Sequence, residues 1–168
     1  MDQLFTPWRL DYLLSPHNED GCLFCNALES RNDQEKLILH RGPHCFIILN
    51  LYPYNNGHLM VLFNRHLSRL ASATTEEQDE MMRSIVLAER LLQEAYEPDG
   101  LNIGMNLGHA AGAGVAGHLH VHLVPRWEAD TNFAAVLAGT RIIPETPQAS
   151  YTRLRPLFER DAPELSRA

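Results

Sequence analysis

The sequence predicts an α+β fold, an antiparallel sheet of short strands with one long helix and a second helix near the C-terminus. Three observations carry this. Short apolar runs bounded by turn residues recur at residues 37–40, 45–50, 58–63 and 101–107. Only residues 74–96 repeat apolar positions at helical spacing over several turns. Residues 118–127, HLHVHLVPRW, alternate strictly. Side chains on a strand change face at every residue, so His118, His120 and His122 share one face while Leu119, Val121 and Leu123 take the other and enter the core.

In chain order, residues 1–20 carry TPWRLDYL and read as an arm that packs Trp8 and Tyr12 onto the body or a second subunit. Cys22-Leu23-Phe24-Cys25 follows, with a short polar helix or turn to about Lys36. The first two strands flank Arg41-Gly42-Pro43-His44, which has hairpin punctuation, and Asn56-Gly57 marks the turn into the third. Thr74 or Thr75 is placed to cap the long helix, with Glu76 and Glu77 near the positive end of its dipole. Met81, Ile85, Ala88, Leu92 and Ala95 form its core stripe, and Pro98 and Gly100 close it. After the fourth strand, residues 108–117 (GHAAGAGVAG) lead directly into the histidine strand, whose pairing Pro125 is expected to end for want of a ladder donor. Segments 133–137 and 142–144 and a basic helix over about 151–160 complete the chain.

A chain of 168 residues without internal repeat or linker is read as a single domain, 1–168, with 1–20 as its arm. The net charge of −7 argues against a general nucleic-acid binder, which needs a basic face, but leaves room for a small anionic ligand. No run is long and apolar enough to span a membrane, and the N-terminus lacks the charged-then-apolar order of a signal peptide, so the expected location is cytoplasmic. Three cysteines, two of them in C-x-x-C, point to metal binding rather than a disulfide framework.

Neutral imidazole is a good nucleophile toward phosphorus near pH 7. Histidines spaced about 6.6 Å apart along a strand cannot all perform one task, so the three must divide roles. Glycines let backbone N–H groups approach phosphate oxygens, and a glycine-rich loop placed immediately before the histidine strand reads as a phosphate loop. A catalytic H-x-H metal site would explain neither the third histidine nor that loop.

Four stretches, TPWRLDYL, LNLYPYNNGHLMV, GLNIGMNLG and HLHVHLVPRW, together resemble the histidine triad (HIT) superfamily over roughly residues 7–158. The likeness is greatest to the bacterial diadenosine tetraphosphate phosphorylases of its fragile-histidine-triad branch. The resemblance implies a HIT-like sheet of about five strands, a homodimer, and a small-molecule nucleotide substrate. It implies that His120 is the nucleophile and becomes nucleotidylated, with His122 contacting the phosphate or assisting the leaving group. It places Asn50 on the ribose hydroxyls, Asn106 near the scissile phosphate, and Gly112 and Gly114 in the phosphate loop. Gly114 stands where the family often has a hydroxyl or amide, and His109 is a substitute donor. Phe46, Ile48 and Leu51 could wall the base. Phe63 replaces a proline frequent after the third strand. The family's four-ligand structural zinc maps onto Cys22, Cys25, His66 and His118, leaving His58, His44 and Cys45 as packing residues.

The implied reaction is cleavage of dinucleoside polyphosphates by phosphorolysis, with His109 or Arg126 adding charge for the acceptor phosphate. A hydrolase, a nucleoside phosphoramidase with the same nucleophile, and a noncatalytic nucleotide sensor are the alternatives.

Overall fold

The computed structural model describes residues 21–128, 130 and 143–163. The arm with Trp8 and Tyr12, and segment 133–137, lie outside the described residues. The elements are α1 (Leu23–Glu29), α2 (Asp33–Lys36), β1 (Ile38–Arg41), β2 (Cys45–Leu49), β3 (Leu59–Phe63), α3 (Thr75–Tyr96), β4 (Gly100–Met105), β5 (His120–Arg126) and α4 (Pro147–Asp161). Single 3-10 turns occur at Leu70–Ser72 and His109–Ala111.

Five strands form one antiparallel sheet in the order β1-β2-β3-β5-β4. The connection through α3 carries the chain past the site of β5 to place β4 at the edge. The histidine strand therefore lies inside the sheet, with His122 opposite Met60 on one side and Gly104 on the other. Inner placement fixes register on both sides, and register decides which face each histidine takes.

The two faces bury different sets. Leu37, Leu39, Cys45, Ile47, Leu59, Val61, Phe63, Leu119, Val121 and Leu123 pack with Met81, Ala88, Leu91 and Leu92 of α3 and with Leu154 and Phe158 of α4. Each large side chain buried there contributes roughly 1.5–3 kcal/mol. The opposite face gathers Ile38, Phe46, Ile48, Met60 and Leu62 under Phe24 and Ala27 of α1. His120 and His122 pair with Leu62 and Met60 and so belong to this second face, which α1 only partly covers.

α3 starts with a full capping box: the Thr74 side chain accepts from the Glu77 N–H, and Glu77 accepts from the Thr74 N–H. Glu80 reaches the β1–β2 turn, accepting from the backbone of His44 and Cys45. The helix closes one residue earlier than its proline and glycine suggest. Glu97 takes the left-handed cap (φ 43°), and Gly100 opens β4 instead.

Pro125 does not end the pairing: Leu101 faces Pro125 and Gly100 faces Arg126. The N and C=O of a strand residue point to the same side, and the Pro125 carbonyl accepts from Asn55 Nδ2 on the side where β3 has already ended. The missing donor therefore faces no strand and breaks no ladder bond. No helix among the described residues is long and apolar enough to cross a membrane.

Candidate active site

His120 is 5 % exposed, and its Nδ1 lies 2.8 Å from the carbonyl oxygen of His118. A carbonyl only accepts, so this bond places the ring proton on Nδ1 and leaves the lone pair on Nε2. The ring is held between Phe24, 5.2 Å away between centroids, and His122, 4.8 Å away and edge-on. The strand thus delivers an imidazole with a fixed tautomer and a free, in-plane lone pair.

His122 gets its tautomer from a residue read above as packing only. His58 Nδ1 accepts from the Tyr54 backbone N–H at 3.0 Å, with Asn50 Nδ2 at 3.3 Å, so the His58 proton sits on Nε2. That nitrogen lies 2.9 Å from His122 Nδ1, which must accept. His122 is left with its N–H on Nε2. Burial, followed by the neighbouring His122 and His120, lowers His58 to about 3; burial and then His120 lower His122 to about 4. Both rings are therefore neutral at pH 7. The pair His120 and His122 offers a lone pair beside a neutral donor, an arrangement suited to attack on a phosphoryl centre with a hydrogen bond to one of its oxygens.

His58 corrects the sequence reading. It is 1 % exposed and shares the histidine face, with the tilted Tyr54 ring 4.6 Å from its own and 5.8 Å from that of His122. The signal was parity: His58, Met60 and Leu62 alternate against the core residues Leu59, Val61 and Phe63. Cys45 is a packing residue as expected, whereas His44 is exposed in the hairpin turn.

The remaining expected contacts fall at the two ends of this row of rings. At one end, the Asn50 Oδ1 accepts from the Tyr52 N–H and orders the β2–β3 loop, which keeps the amide beside His58. Leu51 is exposed there, while Phe46 and Ile48 are buried in the second core cluster, on the histidine face of the sheet. At the other end lies the glycine loop. Gly108 and Gly112 adopt φ of 84° and 90°, and a Cβ on Gly112 would stand 3.9 Å from Asn106 Nδ2, so Asn106 adjoins the loop. A Cβ on Gly114 would meet nothing within 4 Å, so packing does not require glycine at that position. His109 sits in the 3-10 turn of the loop. Arg126 does not reach it: at the far end of β5 it is engaged by both oxygens of Asp130 and by Asn102. It is thereby excluded as a donor to an acceptor anion.

Cys22, Cys25, His66 and His118 converge with all four donor atoms within 4.8 Å of one another. His118 Nε2 donates to the Phe63 carbonyl at 2.8 Å, so its Nδ1 carries the lone pair. That nitrogen is 3.4 Å from Cys22 Sγ and 3.6 Å from Cys25 Sγ, and His66 Nδ1 is 3.4 Å from Cys25 Sγ. A tetrahedral zinc with ordinary Zn–S and Zn–N bonds separates its sulfur and nitrogen ligands by about 3.6 Å. The donor set fits a closed four-ligand metal site. α1 supplies both sulfurs, Cys22 as its N-cap and Cys25 in its first turn.

Comparison with known proteins agrees with this geometry. The HIT domain family model matches residues 31–129. The AP-4-A phosphorylase of Mycobacterium tuberculosis is 39% identical over 152 residues, covering 86% of this chain and 78% of that protein. A Zn-bound histidine triad family protein from Mycobacterium smegmatis has a TM-score of 0.67 at 25% identity, covering 86% of this chain and 97% of that one. A hypothetical histidine triad nucleotide-binding protein from Sulfolobus tokodaii gives 0.66 at 25% identity, covering 83% and 93%. The alternating histidines, the five-stranded sheet and these matches agree, and the chain belongs to the HIT family.

Proposed function

We propose that this protein cleaves dinucleoside polyphosphates, diadenosine tetraphosphate above all, through a nucleotidyl group carried on His120, and that inorganic phosphate is the acceptor. The observation that carries the reading is the 2.8 Å bond from His120 Nδ1 to the His118 carbonyl, which leaves Nε2 as the attacking atom. The substrate class comes from the printed activity of the M. tuberculosis relative.

In this reading His120 Nε2 attacks the α-phosphorus of one adenosine, the bond from that phosphorus to its bridging oxygen breaks, and ATP leaves. His122 donates its Nε2–H to a phosphate oxygen beside the departing bridge. An oxygen of phosphate then attacks the same phosphorus, the P–N bond breaks, and ADP is released. Asn50 takes the ribose hydroxyls with the Oδ1 lone pair left over from its bond to Tyr52. Asn106 and the backbone of the loop at Gly112 and Gly114 hold phosphate oxygens, with His109 as an additional donor. A structural zinc at Cys22, Cys25, His66 and His118 would supply cross-linking alone, since four protein ligands leave no open position.

The whole chain, 1–168, is read as a single domain. Two such chains form a homodimer in this reading. Edge strand β4 exposes Ile103, and α3 exposes Met82 and Val86, surfaces suited to a second copy. A reducing, cytoplasmic setting suits the free thiols.

Product analysis tests the acceptor. Purified protein incubated with diadenosine tetraphosphate and phosphate should yield ADP and ATP. AMP and ATP, in amounts insensitive to millimolar phosphate, would make it a hydrolase with the same nucleophile.

A further inference from the structure

The metal-ligand cluster is joined to the nucleophile by one residue. The His118 ring enters the cluster through Nδ1, and the carbonyl of the same residue accepts the proton that fixes the His120 tautomer. A second link comes from the neighbouring loop residue: a Cβ on Gly117 would stand 3.3 Å from His66 Nε2, so the end of the glycine loop packs directly on another ligand. Cys22 and Cys25 are half-buried at the start of α1, beside the 56 % exposed Leu23, whereas the third cysteine, Cys45, is 1 % exposed. The two reachable thiols are thus the two that hold the cluster together.

We propose that Cys22 and Cys25 form a thiol switch on His120, in which oxidation of the pair by a hydroperoxide to an intramolecular disulfide ejects the metal and reversibly disarms the nucleophile. This rests on the reading of His120 as nucleophile. In the first step one thiolate attacks a peroxide oxygen, the O–O bond breaks, and a sulfenic acid forms as hydroxide or alkoxide leaves and takes a proton from water. The second thiolate then attacks that sulfur, an S–S bond forms, and hydroxide leaves. The two sulfurs together lose two electrons, which the peroxide takes up. A disulfide cannot serve as two thiolate ligands, so the metal keeps only His66 and His118 and is lost. The His118 ring then loses its metal and keeps the Phe63 carbonyl and the Phe24 and Phe46 rings. The His118–Leu119 peptide, whose carbonyl faces His120, is left to the backbone bond from Leu119 N–H to Leu67 O, so the carbonyl shifts as the His118 ring loosens.

The test uses zinc-loaded full-length protein titrated with hydrogen peroxide. Thiol count, zinc release to a colorimetric chelator, nucleotidyl transfer, and long-range proton–nitrogen spectra of the imidazoles are followed together. The expected result is loss of two thiols, mapped to Cys22 and Cys25 by peptide mass, with zinc release in step. Transfer falls about tenfold or more. The His120 spectrum goes from one fixed Nδ1–H tautomer to a mixture, circular dichroism stays unchanged, and dithiothreitol with zinc restores the starting state. Disulfide formation with rate and His120 spectrum unchanged would overturn the switch. So would global unfolding on oxidation, or loss of rate while both thiols remain reduced. Gly117→Ala keeps all four ligands but crowds His66, and should release zinc faster at the same peroxide concentration; unchanged release contradicts the packing link. If the reduced protein turns over no dinucleoside polyphosphate, the substrate reading fails, while thiols, zinc and the imidazole spectrum still decide the switch.

Discussion

His58 Nε2 lies 2.9 Å from His122 Nδ1, joining the start of β3 to the middle of β5 across the histidine face. The chain of donors runs from the Tyr54 N–H through His58 to His122 and ends in an N–H on His122 Nε2. His58 stands behind His122, the residue proposed to face the phosphate, and so acts as a positioning residue in that proposal.

Replacing His58 by alanine removes the donor that sets the His122 tautomer. The expected effect is a fall in kcat of about a hundredfold, the low end of what a positioned proton donor contributes, with KM little changed. Steady-state kinetics over pH 6–9 would check it, and a loss confined to KM would show that His58 serves binding instead.

The same pair makes stability depend on acid. His58 and His122 keep their protons off in the folded state down to about 3 and about 4, whereas an unfolded histidine takes one up near 6.5. Between those limits the unfolded chain binds more protons, so stability is fully present above about pH 6.5 and is lost as pH falls toward 4. Each pH unit in that window costs about 1.4 kcal/mol per buried neutral histidine. Urea midpoints from pH 7 to 4.5 should fall more steeply for wild type than for His58→Gln, and parallel slopes would contradict the assignment.

Gly57 holds the turn that presents His58. Its φ is 69°, and a Cβ there would come 2.7 Å from the Tyr96 ring. Gly57→Ala should destabilise the fold by about 1–3 kcal/mol, the usual range for a strained left-handed residue, as read from the urea midpoint. A neutral result would mean that the Tyr96 ring, hydrogen-bonded to Glu145, yields without cost.

The α3 cap is a local feature with a local effect. Thr74→Ala removes the oxygen that accepts from the Glu77 N–H and should cost about 1 kcal/mol of stability with activity unchanged. Thermal denaturation alongside an activity assay separates the two effects.

Much of this architecture is legible in the sequence because its causes are local. Alternation in HLHVHL sorts histidines from core residues within one strand, and the Met81–Leu92 stripe needs only the helical repeat. The grouping of Cys22, Cys25, His66 and His118 came from the family resemblance, and the structure brings their four donor atoms within 4.8 Å of one another. The partnership of His58 with His122 was hidden because it depends on the β3–β5 register, Leu59 opposite Leu123, which no local pattern states. Arg126 was misread for a related reason. Its charge stood four residues from His122 in sequence, but an extended strand carries it to the opposite end of the site and into the hands of Asp130.

The proposed intermediate carries a nucleotidyl group on His120 Nε2. Protein mixed with diadenosine tetraphosphate in the absence of phosphate, and quenched in alkali where a P–N bond survives, should gain the mass of one adenylyl group on the peptide carrying His120. The adduct should disappear on adding phosphate, and His120→Ala should bind nucleotide yet form no adduct. Undiminished turnover by His120→Ala, or an adenylyl group recovered on another residue, would contradict the account.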